Sequence, residues 1–322
     1  MHGGSCGRRK DERNGPELEL KRRTLMLGIA CCALPGCASK TSRSSSAPAS
    51  TERPTTGSPS SPIRTKTIPP PTFAASDATA NNPVVVHPAS RETLIQRYSG
   101  EQPKAWGEAV PGVVRRLPTS DRVVALTLDA CGGRAGSGYD STLIEMLRRD
   151  GVPATLFVNA RWIEANPQQF RRLAADPLFQ IGNHGTQHRP LSVTGRSVYG
   201  ITGTTSVAEV IDEVSVNQRL ITELTGATPT AFRSGTAYYD DVAVRIVADL
   251  GLRVVNFDVL GDAGATYSAA QVSQAMLRCA PGSIILAHMN RPDSGTADGV
   301  RATLPELSRR GFRLVHLSEY LG

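Results

Sequence analysis

From Val123 onward, apolar residues fall in short continuous runs, separated by stretches in which they recur every three or four positions. Short runs bounded by turn residues mark strands buried on both faces, and the three-to-four spacing marks helices with one face on a core. The pattern predicts strands at 123–128, 154–158, 179–182, 229–233, 253–257, 282–287 and 312–316. Asp140 or Ser141 caps a helix carrying Leu143, Ile144 and Leu147 on one face, and Gly151-Val152-Pro153 ends it. Asn166-Pro167 opens the next helix, in the usual cap-then-proline order, running to about Ala175. Ser206-Val207-Ala208-Glu209 reads as a capping box before a long amphipathic helix that ends near Gly226. Further helices are expected at 241–250, 268–278 and 297–310. Strand, helix, strand at this spacing implies right-handed βαβ units and a parallel sheet. About seven such units suit an α/β fold built as an incomplete or distorted (β/α) barrel of parallel strands; an open doubly wound sheet is the alternative.

Ahead of this body the pattern changes. Lys21-Arg22-Arg23 precedes an apolar stretch at 25–34 and the sequence Leu34-Pro35-Gly36-Cys37. A basic region, a short apolar core and small residues before a Cys are the parts of an export signal. The Leu-x-Gly-Cys ending resembles a bacterial lipoprotein box with Cys37 as the acylated residue, although Pro35 departs from the usual small residue; Arg22-Arg23 also resembles a twin-arginine signal. From 38 to 80, 25 of 43 residues are Ser, Thr or Pro, too polar to offset the entropy of ordering the chain. The expected division is an export signal at 1–37, a Ser/Thr/Pro-rich tether at 38–80, a transitional segment at 81–120 and a catalytic body at 121–322. Within the transitional segment, residues 84–86 and the stretch from Leu94 to Trp106 are expected to give a strand and a short helix packed on the body.

Charge refines this division. The formal net charge is +7, but residues 121–322 carry 19 Arg, no Lys and 20 acids. The basic excess belongs to the first 120 residues, and a nucleic-acid surface needs clustered cations on the folded body. Nucleic acid is therefore not an expected partner. No apolar run approaches the roughly 20 residues of a membrane span, so membrane attachment is expected only through the amino-terminal lipid. Past Cys37 only Cys131 and Cys279 remain, a pair that could form a disulfide if geometry allowed.

In parallel-strand folds of this type, chemistry sits at the carboxyl ends of the strands. Those ends read Thr127-Leu128-Asp129-Ala130-Cys131, then Asn183-His184-Gly185-Thr186-Gln187-His188, Phe232-Arg233-Ser234-Gly235-Thr236, Phe257-Asp258 to Asp262, and Leu286-Ala287-His288. Singly, each has an ordinary explanation: an Asp after a strand caps a turn, a His sits satisfied in a core, an Arg pairs on the surface. Jointly they would place a carboxylate, three imidazoles and a guanidinium in one pocket. Neutral imidazoles with a carboxylate suit Zn²⁺ or a neighbouring first-row divalent ion.

The stretch from about 121 to 317 resembles the polysaccharide deacetylases, the NodB-homology carbohydrate esterases, which remove acetyl groups from N- or O-acetylated sugars. Strand-terminal Thr-Leu-Asp, His-x-x-x-His, Gly-Val-Pro-Ala-Thr-Leu-Phe and the late Ile-Leu-Ala-His carry the resemblance. It implies a general base at Asp129, metal-binding His184 and His188, an orienting Arg233 and a general acid at His288. The family's second Asp is replaced by Ala130, which cannot bind a metal; its usual Pro-Tyr near the arginine is replaced by Ser234-Gly235-Thr236. Asp129, then the Cys131 thiolate, Asp262 or water are the candidates for the missing ligand. Asp262 or Asp258 is the candidate partner of His288, and Tyr238, Tyr239 and Trp162 are candidates for stacking on sugar. The expected activity is metal-dependent removal of acetyl groups from a cell-wall or surface glycan, by a protein exported to the outer face of the cytoplasmic membrane or secreted. The competing readings are a non-catalytic glycan-binding protein, a hydrolase of small amides and a structural envelope protein.

Overall fold

A computed structural model describes residues 90–321. The expected export signal, the tether and the strand at 84–86 lie outside the described residues. The first described element is α1 (Arg91–Tyr98), capped by the Ser90 hydroxyl accepting the Thr93 amide. Strand β1 (Trp106–Gly107) follows, and the regular alternation begins with β2 (Val123–Ala130), α2 (Ser141–Arg149) and β3 (Ala154–Val158). Next come α3 (Ala160–Ala165), α4 (Pro167–Ala174), β4 (Phe179–Asn183), α5 (Val207–Thr225), β5 (Ala231–Phe232), β6 (Tyr239–Asp240) and α6 (Asp241–Asp249). The chain continues through β7 (Arg253–Val254), β8 (Val259–Leu260), α7 (Ala269–Met276), β9 (Ser283–His288), α8 (Thr296–Arg309), β10 (Arg313–Leu314) and α9 (Ser318–Leu321).

Seven parallel strands run in the order β7-β5-β4-β3-β2-β9-β8, and β10 pairs with the start of β2. The sheet curls into an incomplete (β/α) barrel. No ladder joins β7 to β8 among the described residues, and Val114 and Arg116 reach across below, bridging to Val255 and Ser283 respectively. A separate ribbon forms where β1 pairs antiparallel with β6.

The period of two along each strand sorts side chains between two cores. Val124, Leu126, Leu128 and Ala130 of β2, with Ile285 and Ala287 of β9, pack toward the helices. Val123 and Ala125, with Phe157, Ile284 and Leu286, fill the barrel interior. Asp129 therefore points inward and Ala130 outward. In register, Asp129 sits beside His288 of β9 on one side and Phe157 of β3 on the other.

Several expectations change. Observed strands at 231–232, 253–254 and 313–314 are shorter than their apolar runs, because burial continues beyond the ladder into the loops. The pattern missed α3, which is a single short turn of helix capped by Asn159, and β8, which is two residues long. Ser206 caps α5, but the reciprocal half of the box is absent: Glu209 accepts instead from the Thr205 amide, at 3.0 Å, and from Arg189. The box with both halves is at Ser268 and Gln271 on α7. Cys131 and Cys279 are free thiols. Cys131 follows the carboxyl end of β2, whereas Cys279 precedes the amino end of β9, and these ends lie on opposite rims of the parallel sheet.

Candidate metal and catalytic site at the strand mouth

Arg233, immediately after β5, is fully buried. Its guanidinium donates to Asp129 Oδ1 at 2.7 Å, Thr127 Oγ1 at 2.9 Å, and the carbonyls of Val255 and Asn256 at 3.0 Å each. It also lies 4.2 Å above the Phe157 ring. Burial alone would raise the Asp129 carboxyl, but Arg233, with His184 and His288, outweighs it and holds the group below the usual carboxylate range. Asp129 is thus an ionised, aimed carboxylate.

Next to it on β9, His288 donates through Nδ1 to Asp262 Oδ1 at 2.8 Å, and its backbone amide donates to Oδ2 at 2.7 Å. Thr296 Oγ1 adds a third hydrogen bond to Asp262, at 2.9 Å. Burial would strip the imidazolium of its proton, yet Asp262, and then Cys131, push the His288 pKa well above its ordinary value. The structure pairs Asp262, not Asp258, with His288. Asp258 is held by Arg116, the Ser283 hydroxyl and the Ile284 amide at the opposite end of β9.

His184 extends β4, with its amide on the Val158 carbonyl. Its Nδ1–H donates to the Arg233 carbonyl at 2.9 Å, which fixes the tautomer and leaves the Nε2 lone pair on the side of Asp129 and Cys131. Burial pushes its pKa down, so the ring is neutral. Nε2 stands 3.6 Å from Asp129 Oδ2 and 3.8 Å from Cys131 Sγ. His188 has φ of +64°, in the left-handed region that a side chain rarely adopts. Its ring meets that of His184 edge-on, 5.0 Å between centroids. A Cβ on Gly235 would fall on the His188 ring and backbone, which accounts for a glycine where the family resemblance leads one to expect proline.

The loop bearing both histidines hangs from one residue that the sequence reading missed. Glu213, buried on α5, accepts the backbone N–H groups of Thr186, Gln187 and Arg189 at 2.9–3.2 Å. Burial raises its carboxyl despite these donors. Asn217, one turn on, donates to the Val158 carbonyl and to Asn183 Oδ1, which in turn accepts the Gly185 amide. The available signal was polar residues at i and i+4 on an otherwise apolar helix face.

The donor atoms of Cys131, His184 and His188 all lie within 4.8 Å of one another. His188 Nε2 is buried and has no hydrogen-bond partner among the described residues. An orphaned imidazole nitrogen, a neutral imidazole lone pair and a thiol whose pKa the neighbouring His188 and His288 bring down to about 6 against the opposing effect of burial form a donor set that fits a divalent ion. Glu213→Ala should therefore weaken metal binding about 10- to 100-fold and cost about 1–3 kcal/mol through the unsatisfied amides. Competition against a chelator, with thermal melts, checks this; unchanged affinity would remove the positioning role.

These groups open on a cavity of about 670 Å³, lined by Asp129, Cys131, His188, Thr236 and His288 among others. A neighbouring cavity of about 450 Å³, lined by Trp106 and Tyr238, shares Glu108 with it. Of the aromatic candidates for sugar, Trp162 is buried with its indole N–H on the Gly138 carbonyl, and Tyr239 is buried against Asn256; both belong to the core. Tyr238 instead joins Trp106 and the exposed Tyr199 at the rim, with centroid separations of 5.8 and 5.6 Å.

The mouth of the parallel sheet thus combines a buried Asp129–Arg233 pair, an Asp262–His288 pair and a Cys131–His184–His188 cluster. Residues 116–255 match the family model described as polysaccharide deacetylase. The uncharacterized protein YlxY of Bacillus subtilis is 23% identical over 190 residues, spanning 58% of this chain and 54% of that protein; the chain thus covers about half of that relative's length. Peptidoglycan-N-acetylglucosamine deacetylase of Bacillus cereus is 22% identical over 213 residues, 65% of this chain and 92% of that protein. Among solved structures, a CE4 family pseudoenzyme from Bacillus anthracis shares the fold with a TM-score of 0.56 at 23% identity, covering 66% of this chain and 70% of that one.

Proposed function

We propose that this protein removes acetyl groups from an N- or O-acetylated cell-wall polysaccharide, with Asp129 as general base and His288 as general acid. The observation that carries the reading is the side-by-side placement of these two residues on adjacent strands, each with its own buried partner of opposite charge. Environments that push two titrating groups toward opposite charge states are what acid–base chemistry at neutral pH requires. A divalent ion, zinc by the character of the donors, fits at His184 and His188, with Asp129 bordering it 3.6 Å from His184. When bound, such an ion supplies Lewis acidity at the acetyl carbonyl and toward the attacking water.

The chain's own residues supply the rest. Asp129 receives the proton of the attacking water, and Arg233 keeps that carboxylate ionised and aimed. The Thr236 hydroxyl, buried on the cavity wall with no partner among the described residues, is the candidate donor to the oxyanion. His288, held through Nδ1 by Asp262, gives its other proton to the departing sugar amine or hydroxyl.

The Trp106, Tyr199 and Tyr238 rim favours a sugar chain over a small amide, since aromatic faces at a cavity mouth suit pyranose rings. Tyr238→Ala should raise KM for an acetylated oligosaccharide about three- to tenfold and leave the monosaccharide unchanged. An equal loss on both would favour the small-amide reading. Export and acylation at Cys37 would hold the body at the outer face of the membrane; among the described residues no helix is long and apolar enough to cross one. Acetate release from acetylated peptidoglycan or chitooligosaccharide by the full chain, before and after chelation, tests the activity. Ala130, in place of the family's second Asp, favours one competing reading, a glycan-binding protein without catalysis. That reading predicts binding without acetate release.

A further inference from the structure

We propose that Cys131 Sγ is the third protein ligand of the ion, completing a Cys–His–His set in place of the carboxylate that position 130 lacks. The inference rests on the metal-dependent reading above and deepens it. Strand parity is the first support. Ala130 is fully buried toward the helix layer, whereas Asp129 and Cys131 lie on the cavity wall. The second is convergence, because Cys131 forms with His184 and His188 a cluster whose donor atoms all fall within 4.8 Å, and Asp129 is not part of that cluster. The third is commitment. Asp129 is already engaged by Arg233 at 2.7 Å, while Cys131 Sγ faces imidazoles, with the nearest His184 nitrogen at 3.8 Å.

The backbone around Cys131 is built to hold this position. Gly132 turns the chain with φ of +70°, and a Cβ there would meet the Trp162 amide nitrogen at 2.6 Å, so the turn is seated directly on α3. Arg161 donates to the Cys131 carbonyl at 3.3 Å. The turn thus aims the sulfur at the histidines. Three protein donors with one side open to a cavity is the usual form of a catalytic zinc site. A thiolate makes the set softer than a carboxylate with two imidazoles, and favours Zn²⁺ or Co²⁺ over Mg²⁺ or Mn²⁺.

The test uses the full chain loaded with Co²⁺ and read by absorption. A thiolate ligand gives a sulfur-to-cobalt charge-transfer band in the near ultraviolet. The parent should show it, and Cys131→Ser should lose it while binding cobalt at least about 100-fold more weakly, a larger loss than second-sphere changes produce. As a second measurement independent of any variant, saturating zinc should slow alkylation of Cys131 by iodoacetamide, followed peptide by peptide. A parent cobalt spectrum without the band, or a band that survives in Cys131→Ser, overturns the ligand assignment. If the cobalt still requires His184 and His188, the metal-dependent reading survives that result. If no ion binds, or His184→Ala with His188→Ala leaves binding unchanged, both fall.

Discussion

Arg233→Met should lower the unfolding free energy by about 3–5 kcal/mol, the usual cost of removing one partner from a buried ion pair. The guanidinium is fully buried and holds four oxygens at once: a carboxylate, a hydroxyl and two main-chain carbonyls. Methionine fills comparable volume and satisfies none of them, and Asp129 is left buried without its cation. The pH dependence has a definite sign. Asp129 has a lowered pKa in the folded protein, so its contribution is present above its unfolded value of about 3.9 and is lost as pH falls through the folded value. The stability gap between parent and variant should be widest near neutral pH and narrow in acid. Urea melts across that range check it; a variant as stable as the parent at pH 7 would mean that the buried pair contributes nothing to the fold.

The second large effect is on chemistry. Asp129→Asn keeps the size of the side chain but removes the proton acceptor, and loss of a positioned general base costs about 10²- to 10⁴-fold in rate. The loss should appear in kcat, with glycan binding and metal content close to the parent's, because the proposed ligands are on other side chains. Single-turnover acetate release with a metal assay on the same samples separates the effects. Loss of the ion together with the activity would make Asp129 a ligand, and an unchanged rate would remove it from the mechanism.

The strand-and-helix alternation was legible because continuous apolar runs such as 154–158 fill strands with helices on one face and the barrel core on the other. The candidate residues were legible for a related reason: Asp129, His184, Arg233 and His288 are polar residues placed where such runs end. The period of two along β2 puts Ala130 in the helix-side core and Cys131 on the cavity wall. Less of the supporting shell could be read. Glu213 looks like any acid on a helix until α5 packs across β4 and brings its carboxylate to three amides of the histidine loop. Trp162 and Tyr238 are equally aromatic in the sequence, and only their elements' packing puts one in the core and the other on the rim.

The sequence by itself determined the succession of elements and the polar residues at their ends, because burial period, caps and breakers act over a few neighbouring positions. The tertiary structure decided which of those residues meet: that His288 takes Asp262 rather than Asp258, and that Cys131 joins the two histidines. Those contacts cross 26 to 53 residues, from Asp262 to His288 and from Cys131 to His184. Local periodicity carries no information about strand order or helix seating at that range, and those two things set the distances that make a site.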